Sequence, residues 1–458
     1  MKRSIRKIIN IILLASILVS SVSITAFAKP AWPVPDQEVQ SEGAILVDAK
    51  SGAVLYGKNI HEPYYPASIT KILTALVVIE NCDDLDAELT FSRRAIFDVE
   101  SGSSNAGYGV GDTITVRTAL YAMLLQSANE AANALAEYVA GSFEGFCAMM
   151  NMRAKELGCR DSHFANPSGL NNENHYTSAY DFALICRAAF NNETFLQIDG
   201  SSYVKLPPNS TYDEPFTVYA HHSMLKRSNK LYYDGIIGGK TGYTSLAGNT
   251  LVTCAEREGL RLITVILNGH QTHYEDTKLL LDFGYDKFKS VNLSESAINN
   301  SDIYKNLDIT GEGIKGSDVI GLDPNGCITL PMNAGLNDVD SEITYELDEE
   351  APLDAIARID YTYDDRKVGY TYLRRDYTKS VTEVAISRSE LASLNNPSSK
   401  VEEYVRESTT WEKVAIGLII AVFFLILALI VVAIVRRSRR SRGFGSLSKS
   451  KNRKKRKS

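Results

Sequence analysis

Cysteine is scarce in this sequence, with six residues in 458 that are widely separated along the chain. No two of them have a metal-binding spacing such as Cys-x-x-Cys, which excludes a zinc site built on paired cysteines. A chain of this length also buries large cores without disulfide staples. We therefore interpret most of the cysteines as small buried hydrophobic residues, although an exported chain would permit one disulfide.

Basic residues are under-represented in the body of the chain. Between the first 28 and the last 23 residues there are 33 Lys and Arg against 55 Asp and Glu, a formal charge near −22. An acidic body of this kind argues against nucleic acid as a partner. The composition, with 44% apolar and 23% charged residues, is that of a globular protein.

Two long apolar runs lie near the ends. Residues 1–28 start with four basic residues, continue through an apolar run and end in Ala26-Phe27-Ala28, the order of a secretory signal cleaved after Ala28. Val414–Val435 has 22 residues and no charge. As a helix it would be about 33 Å long, which matches a hydrocarbon core of ~30 Å. We expect a signal peptide and a transmembrane helix.

The tail after this span, residues 436–458, has twelve Lys or Arg and no acidic residue. Basic residues stay on the cytoplasmic side of a membrane, and a cleaved signal also places the body outside. The sequence therefore predicts a single-pass protein of the cytoplasmic membrane. Its body is extracytoplasmic, residues 389–413 form a stalk, and the basic tail is cytoplasmic.

Strand patterns enclose a helical middle. Gly43–Asn59 is typical of two strands around a turn, and the chain is mostly helical from Ser68 to about Phe195. Gly248–Gly269 predicts a hairpin, and Tyr274–Phe288 predicts a closing helix that ends near Gly284. We expect an α+β fold for residues 29–289, with one antiparallel sheet flanked by helices and a mainly helical lobe.

Residues 290–388 differ, because they contain no long apolar helix. Asp354–Asp376 alternates around a turn at Asp364-Asp365-Arg366, which is typical of a β-hairpin. We expect a small all-β domain here.

The stretch Ser68-Ile69-Thr70-Lys71 carries the first chemical signal. If a helix begins at Ser68, positions i and i+3 share a face and place the hydroxyl beside the lysine amine. An apolar surround pushes a lysine toward its neutral form, which accepts a proton from serine. Alone, the motif is better explained by a serine N-cap and a lysine that snorkels to water.

Two more motifs follow in the chain. Ser127-Ala128-Asn129 stands at the junction of two helical segments, where the hydroxyl could relay a proton and the amide could hold a substrate carbonyl. Lys240-Thr241-Gly242 stands at the start of a strand pattern. Its lysine and threonine suit a carboxylate, and Gly242 would let a substrate backbone approach closely. The ordered set S-x-x-K, S-x-N, K-T-G is typical of penicillin-binding proteins and serine β-lactamases.

From Gly43 to Phe288 the chain resembles the D-alanyl-D-alanine carboxypeptidases, the low-molecular-mass penicillin-binding proteins. Further stretches carry the same resemblance, among them "FANPSGL" (Phe164–Leu170) and "LLLDFGY" (Leu279–Tyr285). The resemblance implies a β-lactamase/penicillin-binding transpeptidase-like fold. It also implies removal of the terminal D-alanine from peptidoglycan stem peptides, without metal or other cofactor, and covalent inhibition by β-lactams.

The resemblance also implies roles for single residues. Ser68 would attack the carbonyl between two D-alanines, with Lys71 as base and Ser127 as proton relay. Asn129 would orient the peptide. The remaining residues would hold the terminal carboxylate (Lys240 and Thr241), admit the substrate backbone (Gly242) and complete the oxyanion hole with Ser68 through a backbone N–H (Tyr243).

The loop before the closing helix departs from the family pattern. Some members have a basic residue there near the substrate carboxylate, whereas this chain offers only His270 and His273. We interpret these histidines as surface residues and expect the carboxylate to depend more on Lys240 and Thr241. The expected membrane span also differs from the amphipathic helix at the end of many members.

Three other functions fit this sequence less well. A serine β-lactamase would need a Glu-x-x-x-Asn helix motif, and Phe164–Leu170 stands in that region instead. A β-lactam-sensing receptor would need an intracellular effector, and only 23 residues follow the expected span. A non-enzymatic adhesin or scaffold is disfavoured because the serines and lysines of all three motifs are intact.

Overall fold

A computed structural model describes residues 29–296, 320–347 and 351–375. The α-helices are α1 (Lys71–Asn81), α2 (Arg93–Phe97), α3 (Val116–Leu125), α4 (Asn129–Ala140), α5 (Phe143–Glu156), α6 (Ala179–Asn191), α7 (Glu193–Asp199), α8 (His273–Lys287) and α9 (Leu293–Ser296). The strands up to the closing helix are β1 (Gly43–Asp48), β2 (Val54–Lys58), β3 (Glu88–Thr90), β4 (Thr113–Thr115), β5 (Tyr203–Leu206), β6 (Phe216–Tyr219), β7 (Ile236–Thr244), β8 (Gly248–Arg257) and β9 (Leu260–Gly269). The later strands are β10 (Phe288–Asn292), β11 (Ile320–Leu322), β12 (Cys327–Pro331), β13 (Asp340–Thr344), β14 (Ala355–Tyr363) and β15 (Arg366–Arg375).

The main sheet has five antiparallel strands in the order β2-β1-β9-β8-β7. The first hairpin of the chain therefore pairs with a strand that follows the entire helical region. All six residues of β1 are buried, because helices cover both faces of the sheet. The predicted α+β architecture is confirmed, including the β8–β9 hairpin, whose turn has Glu258 and Gly259 at positive φ.

Helix α1 is the centre of the helical lobe. It contacts α3, α4, α5 and α6, and residues Lys71–Val78 are all buried. Its exposure pattern has no polar face over this stretch, which is why the sequence there is nearly continuous in apolar residues. The other face of the sheet is covered by α8, which packs on β8 and β9.

The closing helix corrects one expectation. It was predicted to end near Gly284, but it continues to Lys287. A Cβ built at Gly284 would lie 2.5 Å from Leu262 Cδ1 and 3.1 Å from Leu46 Cδ2. The glycine therefore serves the close approach of the helix to the sheet and does not cap the helix.

A second sheet has the strand order β10-β12-β15-β14-β13, with β11 paired to β15. The hairpin expected around Asp364 is present, and the two turn residues, Asp364 and Asp365, have φ of 48° and 61°. Such angles belong to a type I′ turn, which matches the twist of paired strands.

The two sheets are joined within one compact unit by buried polar and aromatic contacts. Thr329 of β12 bonds Ser51 Oγ at 2.6 Å and donates to the buried carboxylate of Asp48. Trp32 packs between Phe288 and Tyr363. Trp32 also donates a 3.2 Å hydrogen bond from Nε1 to the Leu55 carbonyl oxygen of β2, so the segment that precedes β1 contacts both sheets.

Several expectations concern residues outside the described ranges: the signal peptide, the stalk, the span Val414–Val435 and the basic tail. Among the helices of the described residues, none is both long and apolar enough to cross a bilayer. All six cysteines are among the described residues, and all six are free in this structure.

Candidate active site

Ser68 lies in a short 3₁₀ turn, Ala67–Thr70, and α1 begins only at Lys71. The sequence placed the start of the helix at Ser68, so this boundary was wrong. Neither the turn nor α1 has a side-chain cap, which rules out the N-cap explanation of the serine. Ser68 itself is partly exposed between the buried residues Ala67 and Ile69.

The turn is held in place from several sides. Ala67 has a φ of 51°, an unusual conformation for a residue with a Cβ. Its carbonyl oxygen accepts a 2.8 Å hydrogen bond from the Thr70 hydroxyl, and the Pro66 oxygen accepts one of 2.8 Å from Thr250 Oγ1. A strained backbone of this kind persists only where its surroundings fix it.

Lys71 is completely buried, and its amine contacts three oxygens. Nζ lies 3.0 Å from Ser68 Oγ, 2.7 Å from Asn129 Oδ1 and 2.5 Å from the Ser168 carbonyl oxygen. Burial lowers the pKa of Lys71 well below the usual value of a lysine. The charge of Lys240 acts in the same direction, and Glu130 opposes them. The lysine does not snorkel to water.

The neutral form of this amine, which the lowered pKa favours, has two N–H bonds and one lone pair. Asn129 Oδ1 and the Ser168 carbonyl are acceptors only, so they take both N–H bonds. The lone pair is then left for the Ser68 hydroxyl. The arrangement is suited to remove a proton from Ser68.

Ser127 and Asn129 lie where α3 gives way to α4, as predicted. Ser127 has a φ of 61° and is nearly buried, and within the described part of the chain its hydroxyl has no hydrogen-bond partner. Asn129 is the first residue of α4. Its amide oxygen is bonded to Lys71, a contact that the sequence did not predict.

Lys240, Thr241, Gly242 and Tyr243 lie on β7, the edge strand of the main sheet. Lys240 is 1% exposed and donates a 2.9 Å bond to the Thr241 carbonyl. Burial lowers the pKa of Lys240 to about 8, against the opposing effect of the Asp199 carboxylate. Tyr243 projects into solvent, with 68% of its surface exposed.

Gly242 also lies against the nucleophile turn. That it admits a substrate backbone stays a prediction, and the structure adds a second reason for a glycine at this position. A Cβ at Gly242 would lie 2.8 Å from the Ser68 nitrogen and 2.4 Å from Thr250 Oγ1. The missing side chain brings the end of β7 against the backbone N–H of Ser68.

The sequence analysis did not predict that the loop Phe164–Leu170 contacts Lys71. It identified this loop only as a stretch that resembles the family. The Ser168 carbonyl oxygen accepts a hydrogen bond from Lys71 Nζ. Asn166 Oδ1 accepts hydrogen bonds from the backbone nitrogens of Ser168 and Gly169. A Cβ at Gly169 would lie 1.9 Å from the Ala67 oxygen. A contact made by a backbone carbonyl does not depend on the type of side chain, so it cannot be predicted from residue identity. Only the Asn-Pro-Ser-Gly pattern, which is typical of a turn, could have indicated this loop.

Two buried groups outside the motifs support the site. His175 accepts from the Ala165 nitrogen at Nδ1 and bonds Thr70 Oγ1 through Nε2 at 2.9 Å. Burial lowers the pKa of His175 to about 3, so the ring is neutral. Asp199 accepts from the Gly239 nitrogen at 2.6 Å, which fixes β7 next to Lys240.

The loop before α8 agrees with the surface interpretation for one of its histidines. His270 is exposed, with Nε2 3.5 Å from Glu42 Oε1. His273 starts α8 and is half-buried. The basic side chains of the site described above are Lys71 and Lys240.

A sequence model of the D-alanyl-D-alanine carboxypeptidase family (Peptidase S11) matches residues 28–271. The chain is 32% identical to DacF of Bacillus subtilis over 60% of its length and 72% of that protein. It is 33% identical to DacB2 of Mycobacterium tuberculosis over 57% of its length and 87% of that protein. Both relatives are named D-alanyl-D-alanine carboxypeptidase.

Solved structures show the same likeness. The crystal structure of a Mycobacterium tuberculosis D-alanyl-D-alanine carboxypeptidase matches with a TM-score of 0.51 at 31% identity, over 57% of this chain and 96% of that one. The Streptomyces K15 DD-transpeptidase matches with a TM-score of 0.51 at 28% identity, over 55% of this chain and all of that one. The resemblance found in the sequence is confirmed.

Proposed function

The chain belongs to the D-alanyl-D-alanine carboxypeptidase family of serine peptidases, and we propose that it removes the terminal D-alanine from peptidoglycan stem pentapeptides. The reaction passes through an acyl-enzyme on Ser68. The observation that carries this proposal is the Lys71 amine, 3.0 Å from Ser68 Oγ with two carbonyl oxygens on its other side.

Acylation starts when Ser68 Oγ attacks the carbonyl between the two D-alanines. The hydroxyl proton passes to Lys71, whose burial lowers its pKa and so favours the neutral form. The amide C–N bond then breaks, and the leaving D-alanine nitrogen takes up a proton through Ser127. The uncommitted hydroxyl of Ser127 supports this relay.

The developing oxyanion is bound by the backbone N–H groups of Ser68 and Tyr243. The contact between Gly242 and the Ser68 nitrogen supports this pair, because it brings the two backbones together. Donors that are fixed before the reaction stabilise the charge without reorganising, and one such donor is worth about 10²-fold in rate.

Recognition depends on the edge of β7 and on Asn129. An extended peptide adds to an exposed sheet edge through backbone hydrogen bonds. Lys240 and Thr241 hold the terminal carboxylate, since a lysine with a pKa of about 8 is mostly charged at neutral pH. Asn129 binds the peptide carbonyl that precedes the scissile bond.

Water then hydrolyses the ester, releases the shortened peptide and restores Ser68. Penicillins resemble the D-Ala-D-Ala end and acylate the same oxygen. The alternatives are a serine β-lactamase and a β-lactam-sensing receptor. The loop at Lys71 brings a backbone carbonyl to the site where a β-lactamase would need a carboxylate for fast deacylation, which favours the carboxypeptidase.

The test is mass spectrometry of the purified full chain after pentapeptide and penicillin treatment. We expect D-alanine release and a long-lived penicilloyl adduct on Ser68, both absent in Ser68→Ala. Release by Ser68→Ala at the wild-type rate would refute the assignment. Rapid nitrocefin turnover would identify a β-lactamase instead.

We also propose that the enzyme acts outside the cytoplasmic membrane. The support is the signal-like residues 1–28, the uncharged Val414–Val435 and the basic tail. Residues 290–388 would form a small all-β domain above a stalk. The full chain should pellet with membranes, whereas a chain that ends at Lys413 should enter the medium. A full chain found in the cytosol or the medium would contradict this placement.

A further inference from the structure

The carboxamide of Asn129 is held at both of its ends. Its oxygen accepts from Lys71 Nζ at 2.7 Å, and its nitrogen donates to Ser103 Oγ at 3.0 Å. A carboxamide has two N–H bonds. Within the described part of the chain, the second N–H of Asn129 has no acceptor.

Ser103 belongs to a segment fixed against the start of α4. The Asn129 nitrogen donates to the Ser104 carbonyl at 3.0 Å, and the Ala106 nitrogen donates to Glu130 Oε1 at 2.6 Å. On its other side, the Asn209 amide bonds the Ala106 carbonyl at 3.1 Å. The Ser103 hydroxyl is therefore presented to Asn129 from an anchored backbone.

We propose that Ser103 is a positioning residue that aims the free N–H of Asn129 at the substrate carbonyl. A planar group bonded at both ends cannot turn about its last side-chain bond, so the direction of the remaining N–H is set before substrate arrives. Pre-organised donors bind more tightly because less freedom is lost on binding. This inference rests on the proposed function, in which Asn129 binds the carbonyl next to the scissile bond.

The experiment compares two β-lactams on the full chain. Benzylpenicillin has an acylamino carbonyl that corresponds to the substrate carbonyl, whereas 6-aminopenicillanic acid lacks it. The second-order rate of acylation is measured for both compounds with wild type, Ser103→Ala and Ser103→Thr. Ser104→Ala is the matched control, because its exposed side chain is adjacent and only its backbone bonds Asn129.

Ser103→Ala should acylate five- to tenfold more slowly with benzylpenicillin, the loss expected for one hydrogen bond, and within twofold of wild type with 6-aminopenicillanic acid. Ser103→Thr keeps a hydroxyl and should restore the benzylpenicillin rate. In an Asn129→Ala background, Ser103→Ala should add no further loss, since the two residues act as one unit.

Equal slowing with both compounds would show that Ser103 only supports the local fold, and no slowing with either would show that it has no role. Both results overturn the proposal. If wild type is acylated by neither compound, the proposed function itself fails, so the two failures are distinguishable.

Discussion

Gly242 of β7 lies directly against the backbone of Ser68, and a Cβ at the glycine would stand 2.8 Å from the Ser68 nitrogen. The φ of Gly242 is not in the left-handed region, so the requirement for glycine is one of space. The neighbouring backbone cannot yield as the end of a flexible side chain would. The Lys240-Thr241-Gly242 motif therefore packs directly against the turn that carries Ser68.

Gly242→Ala should move β7 away from the nucleophile turn and lower the acylation rate by about 10²-fold, the usual effect of a displacement near 1 Å in a catalytic site. Stability should fall by about 1–3 kcal/mol. Gly321→Ala is the control, because no atom lies within 4 Å of its built Cβ. Wild-type penicillin acylation by Gly242→Ala would contradict the role assigned to this contact.

Replacing the buried lysine tests the base. Lys71→Ala should abolish labelled-penicillin binding, because among the described residues the Lys71 amine, 3.0 Å from Ser68 Oγ, is the one base within hydrogen-bond distance of that hydroxyl. Lys155→Ala, on the exposed side of α5, should bind normally. Normal acylation by Lys71→Ala would remove Lys71 from the base role.

The charge of Lys240 should set the alkaline limit of peptide binding. Its pKa of about 8 means that the amine is charged below that pH and neutral above it. The KM for a substrate with a free terminal carboxylate should therefore rise above pH 8. A substrate with a C-terminal amide should show no such rise. Equal alkaline profiles for the two substrates would mean that Lys240 does not bind the carboxylate.

Asp199→Asn should shift this alkaline limit to lower pH. The Asp199 carboxylate raises the pKa of Lys240, so removing its charge lowers that pKa. The asparagine oxygen can still accept from the Gly239 nitrogen, which preserves the strand contact. Measuring KM against pH for both proteins tests the direction. A shift toward higher pH would be inconsistent with this electrostatic coupling.

His175 should make the protein sensitive to acid. Its pKa is about 3 in the folded protein against ~6.5 in an unfolded chain, so the unfolded state binds the proton more tightly. The contribution of His175 to the free energy of unfolding is therefore fully present above pH 6.5. It decreases by on the order of 4 kcal/mol as the pH falls toward 3. Urea unfolding across this range should show the loss.

His175→Gln should reduce the slope of stability against pH, even if the variant is less stable at neutral pH. His270→Gln is the control, because His270 is exposed on a loop. His222, with a pKa lowered by burial to about 3, should contribute a second and similar slope. An unchanged slope in His175→Gln would show that this histidine is not a source of the acid loss.

Much of the fold could be read from local patterns. The hairpins around Glu258 and Asp364 were predicted because turn residues stand between alternating strands. The end of α8 was predicted wrongly, because a glycine near the end of a helical pattern is typical of a C-cap. Gly284 is instead required by its close contact with Leu262 of the sheet. The sequence alone does not distinguish a glycine required for close packing from a glycine required for a turn.

The sequence by itself determined the chemical groups of the site, because serine, lysine and the K-T-G strand are recognisable from spacing and order. Only the tertiary structure decided how they act together. Burial is the main cause of the lowered pKa of Lys71, and its amine donates to Asn129 Oδ1 and to the Ser168 carbonyl oxygen, which belong to separate segments of the chain. Proton affinity and the direction of a lone pair depend on surroundings in space, which distant segments of the chain supply.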